Sequence, residues 1–263
     1  MNAINIQNLS FSFEEELILN SISLSVKKGG IYGLLGPNGS GKTTLLNLIS
    51  GVLKSEIGAI ELFGGNVENL DYREKSKLIA VVPQMPSILS GFSVEDYVLL
   101  GRNPHLSFWE SEGYNDEKIM KKSLKMCEIV NLSERKIETL SGGEMQKVLI
   151  ARALAQDTPI MLLDEPTAHL DIRSQISVLN LIESLVKKYK KTIFLSIHDI
   201  NLASQYCDHL GILKHNKIVL SGIPEEVMVK EKLESVYEIP IYVTKNPLNN
   251  KIIVMPSGKS LFN

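Results

Sequence analysis

The sequence predicts an α/β fold in which strands alternate with helices around a largely parallel sheet. Three observations support it: compact apolar runs at 31–35 and 160–163, a helical apolar pattern over 172–188, and an alternation of apolar and polar residues with β-rich composition over 4–26. Short apolar runs suit strands covered on both faces, whereas alternation suits antiparallel strands with one face in solvent. We therefore expect an antiparallel β region at the N-terminus and a mainly parallel sheet beyond it.

Glycines, prolines and apolar spacing define the order of the elements. The strand at 31–35 enters a glycine-rich loop, and a helix over 43–50 ends at Gly51. The lysine run at 187–191 indicates the solvated end of a helix, where cations suit the dipole. The other expected elements are a strand at 79–82, helical segments over 94–130 with a loop at 101–113 and a charged helix at 115–130, a helix at 144–155, a strand at 192–197, and short strands over 212–254 with one helix near 225–237.

Bulk composition limits the classes of function. The 263 residues carry a net charge of −2, with 44% apolar and 22% charged residues, which is ordinary for a globular protein. This charge gives no global attraction for nucleic acid or an anionic membrane, so an anion must be held by a local site. We expect no signal peptide and no membrane span, because no window approaches about 18 apolar residues. Cys127 and Cys207 indicate free thiols in a reducing compartment.

The glycine-rich loop matches a phosphate-binding pattern. Residues 36–43 are Gly-Pro-Asn-Gly-Ser-Gly-Lys-Thr, which fits G-x-x-x-x-G-K-[ST]. Glycines let the backbone aim its N–H groups at phosphate oxygens, and the following helix adds the positive end of its dipole. Lys42 would reach the β- and γ-phosphates, and Thr43 would offer its hydroxyl to Mg²⁺. The flanking strand and helix favour this interpretation over a turn that binds nothing.

Two adjacent carboxylates, Asp164 and Glu165, end the apolar run at 160–163. Carboxylates at the end of a buried strand are costly unless they meet a cation or a donor. In a P-loop protein, Asp164 would hold the Mg²⁺ shell and Glu165 would polarise the attacking water as a general base. Alone, the pair would indicate only a solvated strand end, and the P-loop makes the catalytic interpretation the better one.

A glycine pair precedes the helix expected at 144–155. Ser141 and Glu144 have the spacing of a capping box, which by itself accounts for the start of this helix. Consecutive glycines, Gly142 and Gly143, weaken a helix and therefore need a further reason. They would let a phosphate approach bare N–H groups at the helix N-terminus. We therefore expect a second anion site besides the P-loop.

Taken in order, these motifs resemble those of the ATP-binding cassette family, and the resemblance covers essentially the whole chain. Gln84 and His198 stand at the family's Q-loop glutamine and switch histidine, and Ala168-His169-Leu170-Asp171 stands at its D-loop. Phe13 lies where an aromatic ring stacks on adenine, although it replaces the commoner tyrosine. The resemblance implies a P-loop NTPase core with a mainly parallel sheet, an N-terminal antiparallel β subdomain and a helical signature subdomain.

The resemblance also implies which residues bind ATP and Mg²⁺ and which take part in catalysis. The residues expected in catalysis are Glu165, His198 and Gln84, and those expected to hold Mg²⁺ are Thr43, Gln84 and Asp164. The residues expected to bind ATP are Phe13, Gly36, Pro37, Asn38, Gly39, Ser40, Gly41, Lys42, Thr43, Thr44, Ser141, Gly142, Gly143 and Asp171.

In this family two cassettes dimerise head to tail and enclose each ATP between one P-loop and the opposing signature. The resemblance therefore implies that Ser141 and Gly143 of one copy contact the γ-phosphate held by Lys42 of the other. It further implies transmembrane permease subunits, indirectly a periplasmic or extracellular substrate-binding protein, and no nucleic acid. The chain would lie peripherally on the cytoplasmic side of the cell membrane.

The expected organisation is one ATP-binding domain over residues 1–240, with a helical subdomain at about 86–155. A short β tail over 241–263 is expected to pack on that domain. Two departures from the family pattern stand out: Met145 replaces a polar residue, and Gly30 replaces a glutamate.

A segment of the helical region is similar to one branch of the family. Gly101-Arg102-Asn103-Pro104-His105 resembles a Gly-Arg-x-Pro-His segment of importers for iron–siderophore, haem and cobalamin. We expect import of such a metal chelate, while molybdate, zinc and manganese stay open because the substrate never contacts this subunit. A loop tied by its own proline and arginine is the structural alternative.

Three other classes compete with the transport interpretation. A non-transport ABC ATPase that acts on DNA or ribosomes would carry long coiled coils or two cassettes, and neither feature is in the sequence. A P-loop kinase would need an acceptor site and no signature. A module that binds ATP without splitting it would not need both Glu165 and His198.

Overall fold

A computed structural model describes residues 1–55, 57–84, 90–107 and 109–257. The strands are β1 (Asn2–Phe13), β2 (Glu16–Lys27), β3 (Ile31–Leu35), β4 (Ile57–Leu62), β5 (Gly65–Asn66), β6 (Ile79–Val82), β7 (Ile160–Leu163), β8 (Thr192–Ser196), β9 (His209–Lys214), β10 (Lys217–Gly222), β11 (Ile241–Lys245) and β12 (Ile252–Pro256). The helices are α1 (Lys42–Ser50), α2 (Tyr72–Leu78), α3 (Val94–Leu99), α4 (Tyr114–Met126), α5 (Gly142–Ala155), α6 (Ile172–Tyr189), α7 (Ile200–Tyr206), α8 (Pro224–Val227) and α9 (Lys230–Tyr237). The chain forms two compact units, one from residues 1–68 with residues from 192 onward, and the other from residues 69–191.

The first unit contains an antiparallel sheet with the strand order β2-β1-β4-β5. The antiparallel region that alternation predicted is present, but β1 and β2 are longer than expected, at 12 residues each. In β2, Ile22, Leu24 and Val26 are buried while the serines between them are exposed. This one-sided burial explains why the alternating pattern was a reliable signal.

The first unit also contains strands in the order β10-β9-β3-β8. β3 runs parallel to both β8 and β9, and β10 is antiparallel to β9. Every residue of β3 and β8 is buried, as the compact apolar runs predicted. Because α1 follows β3, the glycine-rich loop lies at the carboxyl end of a parallel strand, where open α/β sheets bind their ligands.

The C-terminal part of the first unit departs from the prediction at one helix. The single helix expected near 225–237 is two helices, α8 and α9, because Val229 has an extended backbone between them. β11 and β12 then form an antiparallel hairpin. The β tail expected over 241–263 is described as far as residue 257, and its residues 258–263 lie outside the described residues.

The second unit holds β6 and β7, which pair in parallel, together with α2 to α6. Three predicted boundaries were wrong. The loop expected at 101–113 contains a 3-10 helix, Leu100–His105; the helix expected at 115–130 ends at Met126; and α5 begins earlier than expected, at Gly142. The helical subdomain expected at about 86–155 includes residues 86–89, which lie outside the described residues.

The long helix α6 agrees closely with its pattern. Asp171 caps its N-terminus by accepting from Ser174 N–H, and Lys187 and Lys188 lie in its last turn, as the lysine run predicted. Lys190 adopts a left-handed conformation (φ 56°) and ends the helix. Across the described ranges, the structure contains no helix with both the length and the apolar character that a bilayer span requires.

Candidate functional site

The P-loop of the first unit has a conformation that only glycines permit. Gly39 and Gly41 have φ values of 75° and 99°, in the left-handed region that glycine adopts without strain. A Cβ on Gly36 would lie 2.5 Å from the carbonyl oxygen of Leu213 and 2.7 Å from Ser40 Oγ. The motif glycines are therefore required by the fold of the loop.

Two polar groups of the P-loop fit an anionic ligand. Lys42 is only 4% exposed, and its Nζ donates to the carbonyl oxygens of Gly36 and Pro37 at 3.0 Å. Ser40 Oγ is buried and has no hydrogen-bond partner among the described residues. An unsatisfied buried hydroxyl costs stability unless a ligand pairs with it. A phosphate oxygen would supply the acceptor for this hydroxyl, and the Lys42 ammonium has the charge that attracts a phosphate.

Phe13 lies at the end of β1 in the same unit and is 49% exposed. Its ring packs edge-to-face against Phe11, with centroids 4.9 Å apart and planes at 89°. This exposure argues against a purely structural core role, and an aromatic face held by a neighbouring ring is suited to stack on a planar base. Its contact with adenine stays a prediction.

His198 follows β8 in the first unit, where three hydrogen bonds fix its flanking residues. Ile197 N–H donates to the carbonyl of Leu34 at 3.1 Å, and Asp199 caps α7 by accepting from Asn201 N–H and Leu202 N–H. The strand end and the helix cap therefore hold the backbone of the predicted switch histidine on both sides.

The second unit brings Gln84 and Glu165 together. Asp164 N–H donates to the carbonyl of Val82, which continues the parallel pairing of β6 and β7 past the strand ends. Gln84 Nε2 then donates to Glu165 Oε2 at 2.7 Å. Glu165 has a φ of 48°, a left-handed backbone that it shares with several other non-glycine residues of the described chain. The hydrogen bond to Gln84 is therefore the observation that supports Glu165 as a candidate catalytic residue.

Asp164 is buried, and its carboxylate has the chemistry that Mg²⁺ prefers. Mg²⁺ binds oxygen ligands, and Thr43, Gln84 and Asp164 offer a hydroxyl, an amide carbonyl and a carboxylate. No group of three or more His, Cys, Asp or Glu side chains in the described ranges is arranged to hold a metal. The Mg²⁺ ligands that the family resemblance implies stay a prediction.

The signature segment satisfies its own polar groups. Ser141 caps α5 by accepting from Glu144 N–H, and Glu144 Oε2 accepts from Ser141 N–H at 2.9 Å and Ser141 Oγ at 2.8 Å. The capping box that the spacing predicted is therefore complete. These hydrogen bonds, with a smaller effect from Arg135, lower the pKa of the Glu144 carboxyl.

Gly143 and Asp171 of the second unit meet at one side chain, Ser174. A Cβ on Gly143 would lie 2.7 Å from Ser174 Oγ, and Ser174 Oγ donates to Asp171 Oδ2 at 2.9 Å. Ser141, Gly143, Asp171 and Ser174 line a cavity of about 490 Å³. The structure therefore brings the predicted signature and D-loop residues to one cavity.

In the second unit, the segment at 101–105 makes hydrogen bonds that connect the start of α4 to the end of α5. Arg102 is buried and bonds Asp116 Oδ1 at 2.9 Å and the carbonyl of Ala155 at 2.7 Å. This contact lowers the pKa of Asp116. His105 Nε2 lies 2.8 Å from the carbonyl oxygen of Gln156. These contacts attach the segment to the start of α4 and the end of α5, which agrees with the structural alternative for this loop.

Sequence reasoning missed two features that the structure supplies. Ser174 was not recognised, although its position three residues after Asp171 is a helix-capping signal. The departure at Gly30 also gains an explanation, because a Cβ there would lie 3.3 Å from Asp208 Oδ2. A glutamate at this position would place a second carboxylate beside Asp208.

Comparison with known proteins identifies the family. Residues 19–168, more than half of the chain, match the model of the family described as ABC transporter. This chain belongs to the ABC transporter family. The resemblance inferred from the motifs is therefore confirmed, and the chain is a transporter ATPase of the kind that binds nucleotide.

Two relatives of this ABC cassette come from Bacillus subtilis. One is the "Probable siderophore transport system ATP-binding protein YusV", 35% identical over 98% of this chain and 94% of that protein. The other is the iron(3+)-hydroxamate import ATP-binding protein FhuC, 35% identical over 97% of this chain and 95% of that protein. Their names, siderophore transport for one and iron(3+)-hydroxamate import for the other, agree with the branch that the sequence predicted.

Solved structures confirm the α/β cassette fold. A transporter described as metal-chelate type, in an inward-facing conformation, matches with a TM-score of 0.86 and 28% identity over 97% of both chains. A dimeric bacterial ABC transporter cassette matches with a TM-score of 0.74 and 28% identity over 84% of this cassette and 98% of that chain.

Proposed function

We propose that this ABC ATPase powers the import of a metal chelate, with an iron–siderophore as the first candidate, through a membrane permease. The observation that carries the proposal is the agreement of two near-full-length relatives, both ATP-binding proteins of siderophore or iron-hydroxamate transport. Cobalamin and haem chelates belong to the same proposed class. Molybdate, zinc or manganese import and a non-transport role are the alternatives that an uptake assay tests.

The P-loop is proposed to hold the triphosphate, with Phe13 on the adenine ring. The Ser40 hydroxyl supports this assignment because it gains an acceptor from a phosphate oxygen, and the buried Lys42 ammonium supports it through its positive charge. The other proposed P-loop contacts are Gly36, Pro37, Asn38, Gly39, Gly41, Thr43 and Thr44. Bound Mg²⁺, held by Thr43, Gln84 and Asp164, would neutralise charge on the phosphates.

Glu165 is the proposed general base. Its carboxylate accepts a hydrogen bond from Gln84 at 2.7 Å, which helps to fix the orientation of the side chain that would polarise the attacking water. His198 is proposed to stabilise the γ-phosphate as charge develops during cleavage. These roles require positioning and electrostatic stabilisation more than covalent chemistry, as is general for phosphoryl transfer.

A second copy of the chain is the proposed partner at the nucleotide. The dimeric cassette among the matched structures supports a head-to-tail dimer in which Ser141, Gly142, Gly143 and Asp171 of one copy meet the nucleotide held by the other. ATP would join the copies, and hydrolysis would release them. The permease would hold the dimer at the cytoplasmic side of the membrane, and a substrate-binding protein would deliver the chelate from outside.

A Glu165→Gln variant tests the catalytic assignment. The amide keeps the shape of the side chain but cannot accept a proton from water, so we expect ATP binding without turnover and an ATP-dependent dimer on size-exclusion chromatography. Turnover at the wild-type rate would contradict the assigned base.

Substrate class is tested separately. Affinity purification of the tagged cassette from membranes would identify the permease. Uptake by vesicles that contain this permease should then favour an iron-loaded siderophore over molybdate or free zinc. Equal or better uptake of an oxyanion or a bare cation would contradict the chelate assignment.

A further inference from the structure

One asparagine fastens the C-terminal hairpin to α7. Asn201 Nδ2 donates to the carbonyl oxygen of Val254 at 3.1 Å, and Val254 N–H donates to Asn201 Oδ1 at 2.7 Å. The side-chain amide thus pairs with β12 as the peptide group of a neighbouring strand would. One turn further along α7, the buried Ser204 hydroxyl donates to the carbonyl of Ile252 at 3.0 Å. These three hydrogen bonds connect one face of the helix to alternate residues of the strand.

The same asparagine is connected to the residue that follows His198. Asn201 N–H donates to Asp199 Oδ1 at 2.8 Å, and Leu202 N–H donates to the same oxygen at 2.9 Å. Asp199 is the N-cap of α7 and is bonded directly to His198 along the chain. The side chain of Asn201 therefore bonds the hairpin, and its main-chain N–H bonds the cap residue beside His198.

The other side of His198 is fixed to the strand that leads into the P-loop. Ile197 is buried, and its N–H donates to the carbonyl of Leu34 in β3 at 3.1 Å. Because the P-loop begins directly after β3, the bond from Ile197 attaches one side of His198 to the strand that leads into the P-loop. On its other side, α7 is attached to the hairpin. A shift of the hairpin would therefore move the histidine while the P-loop stayed in place.

The hairpin also forms a wall of a cavity beside the histidine. His198, Asp199 and Asn201 line a cavity of about 300 Å³ together with Tyr237, Ile241 and Val254. A two-stranded hairpin is marginally stable by itself, so its position depends on what it packs against. On the side that faces α7, the position of the hairpin is fixed by the two hydrogen bonds of Asn201 and the hydrogen bond of Ser204.

We propose that Asn201 is a positioning residue for ATP hydrolysis, through which the C-terminal hairpin sets the place of His198. The inference rests on the role proposed above for His198 and extends it to a part of the chain outside the cassette motifs. Asn201 does not contact the nucleotide in this account. Its side chain attaches α7 to the hairpin, and the cap of α7 connects that attachment to the backbone of His198.

The test is a double-mutant cycle on the full-length protein. In Asn201→Ala, we expect kcat for ATP hydrolysis to fall roughly tenfold with KM unchanged, because small displacements of a positioned group slow chemistry without weakening ground-state binding. In His198→Ala, the Asn201→Ala substitution should have no further effect, since both changes remove the same contribution. Single-turnover measurements give the residual rates of the slow variants.

Two further variants separate positioning from general damage to the fold. Ser204→Ala removes one hydrogen bond of the same attachment and should lower kcat about threefold. Asn249→Ala is the matched control, because Asn249 lies in the same hairpin and, among the residues that the structure describes, its side chain accepts only from Lys251 N–H, at 3.0 Å, within the turn. It should leave kcat at the wild-type value.

The outcomes distinguish this inference from the proposed function. A full-rate Asn201→Ala protein beside a slow His198→Ala protein would overturn the positioning role alone. Equal slowing by Asn201→Ala with and without His198 would overturn it too, because it would reveal a structural effect independent of the histidine. A full-rate His198→Ala protein would overturn the role of His198 and this inference with it.

Discussion

The P-loop and the signature segment both combine glycines with a serine at the start of a helix, and they treat that serine in opposite ways. In the P-loop, Ser40 Oγ has no partner among the described residues, and Gly41 gives α1 no side-chain cap. In the signature, Ser141 and Glu144 complete a reciprocal capping box at the start of α5. The two segments look alike in sequence but differ in how much of their hydrogen bonding the chain itself supplies.

This difference indicates an order of events. A P-loop with an unsatisfied hydroxyl and a buried ammonium gains stability from a phosphate, so one chain should bind nucleotide alone. A signature that is already capped gains less, and the Glu144 carboxylate repels an anion. We therefore expect the signature to engage only when a second copy presents its nucleotide, after binding at the P-loop.

The largest effect should follow from Lys42→Ala. Loss of the buried ammonium removes charge-assisted hydrogen bonds to phosphate worth about 3 kcal/mol, which corresponds to roughly a 100-fold loss of ATP affinity. Titration with a fluorescent ATP analogue measures this directly. An unchanged affinity would show that the P-loop is not the primary nucleotide site.

Gly143→Ala should impair the signature segment and leave nucleotide binding at the P-loop intact. The added Cβ would lie 2.7 Å from Ser174 Oγ, so the helix start must shift, and we expect turnover to fall at least tenfold, about 1.4 kcal/mol, with single-chain ATP affinity unchanged. Gly142→Ala is the milder comparison, because its Cβ meets only the flexible end of Leu170 at 3.3 Å. Equal turnover in both variants would argue against a steric role for Ser174.

Ser40→Ala should have effects of opposite sign on the free protein and on nucleotide binding. Removal of a buried hydroxyl without a partner should raise the melting temperature of the nucleotide-free protein, because its desolvation cost disappears. The same change should weaken ATP binding about threefold to tenfold, since a hydrogen bond to phosphate is lost. Scanning calorimetry with and without ATP measures both, and a lower melting temperature without ATP would contradict the account.

Glu144→Gln should give the smallest effect, about twofold to threefold stronger ATP-driven dimerisation, because the amide keeps the cap and removes the negative charge. The difference between variant and wild type should depend on pH. Since the hydrogen bonds from Ser141 lower the pKa of Glu144, its carboxylate stays charged throughout the neutral range, and the difference should shrink only as the pH falls through that lowered pKa. The stabilisation that Glu144 gives the cap should be lost over the same acidic range.

Features that arise from local chemistry were the ones predicted from sequence. The P-loop, the capping box at Ser141 and the buried strands depend on residues within a few positions of one another, and the structure has them as expected. The break between α8 and α9 was missed because the helical pattern continues across Val229, whose extended backbone no sequence signal marked.

Contacts between distant segments could not be predicted in the same way. Gln84 and Glu165 are 81 positions apart, and their hydrogen bond depends on the register of β6 against β7. The attachment of Val254 to Asn201 depends likewise on how the hairpin packs on α7. The family resemblance named Gln84 and Glu165 as functional, but their geometry came only with the fold.

The central claim is that each nucleotide is held by the P-loop of one copy and the signature of another, and mixing two disabled chains tests it most directly. Glu165→Gln chains that also carry either Lys42→Ala or Gly143→Ala should each stay monomeric with ATP, because neither can form a complete site. Their mixture should form a dimer with one tightly bound nucleotide per two chains, since one P-loop and one signature remain intact. A mixture that stays monomeric, while the Glu165→Gln parent dimerises, would contradict the account.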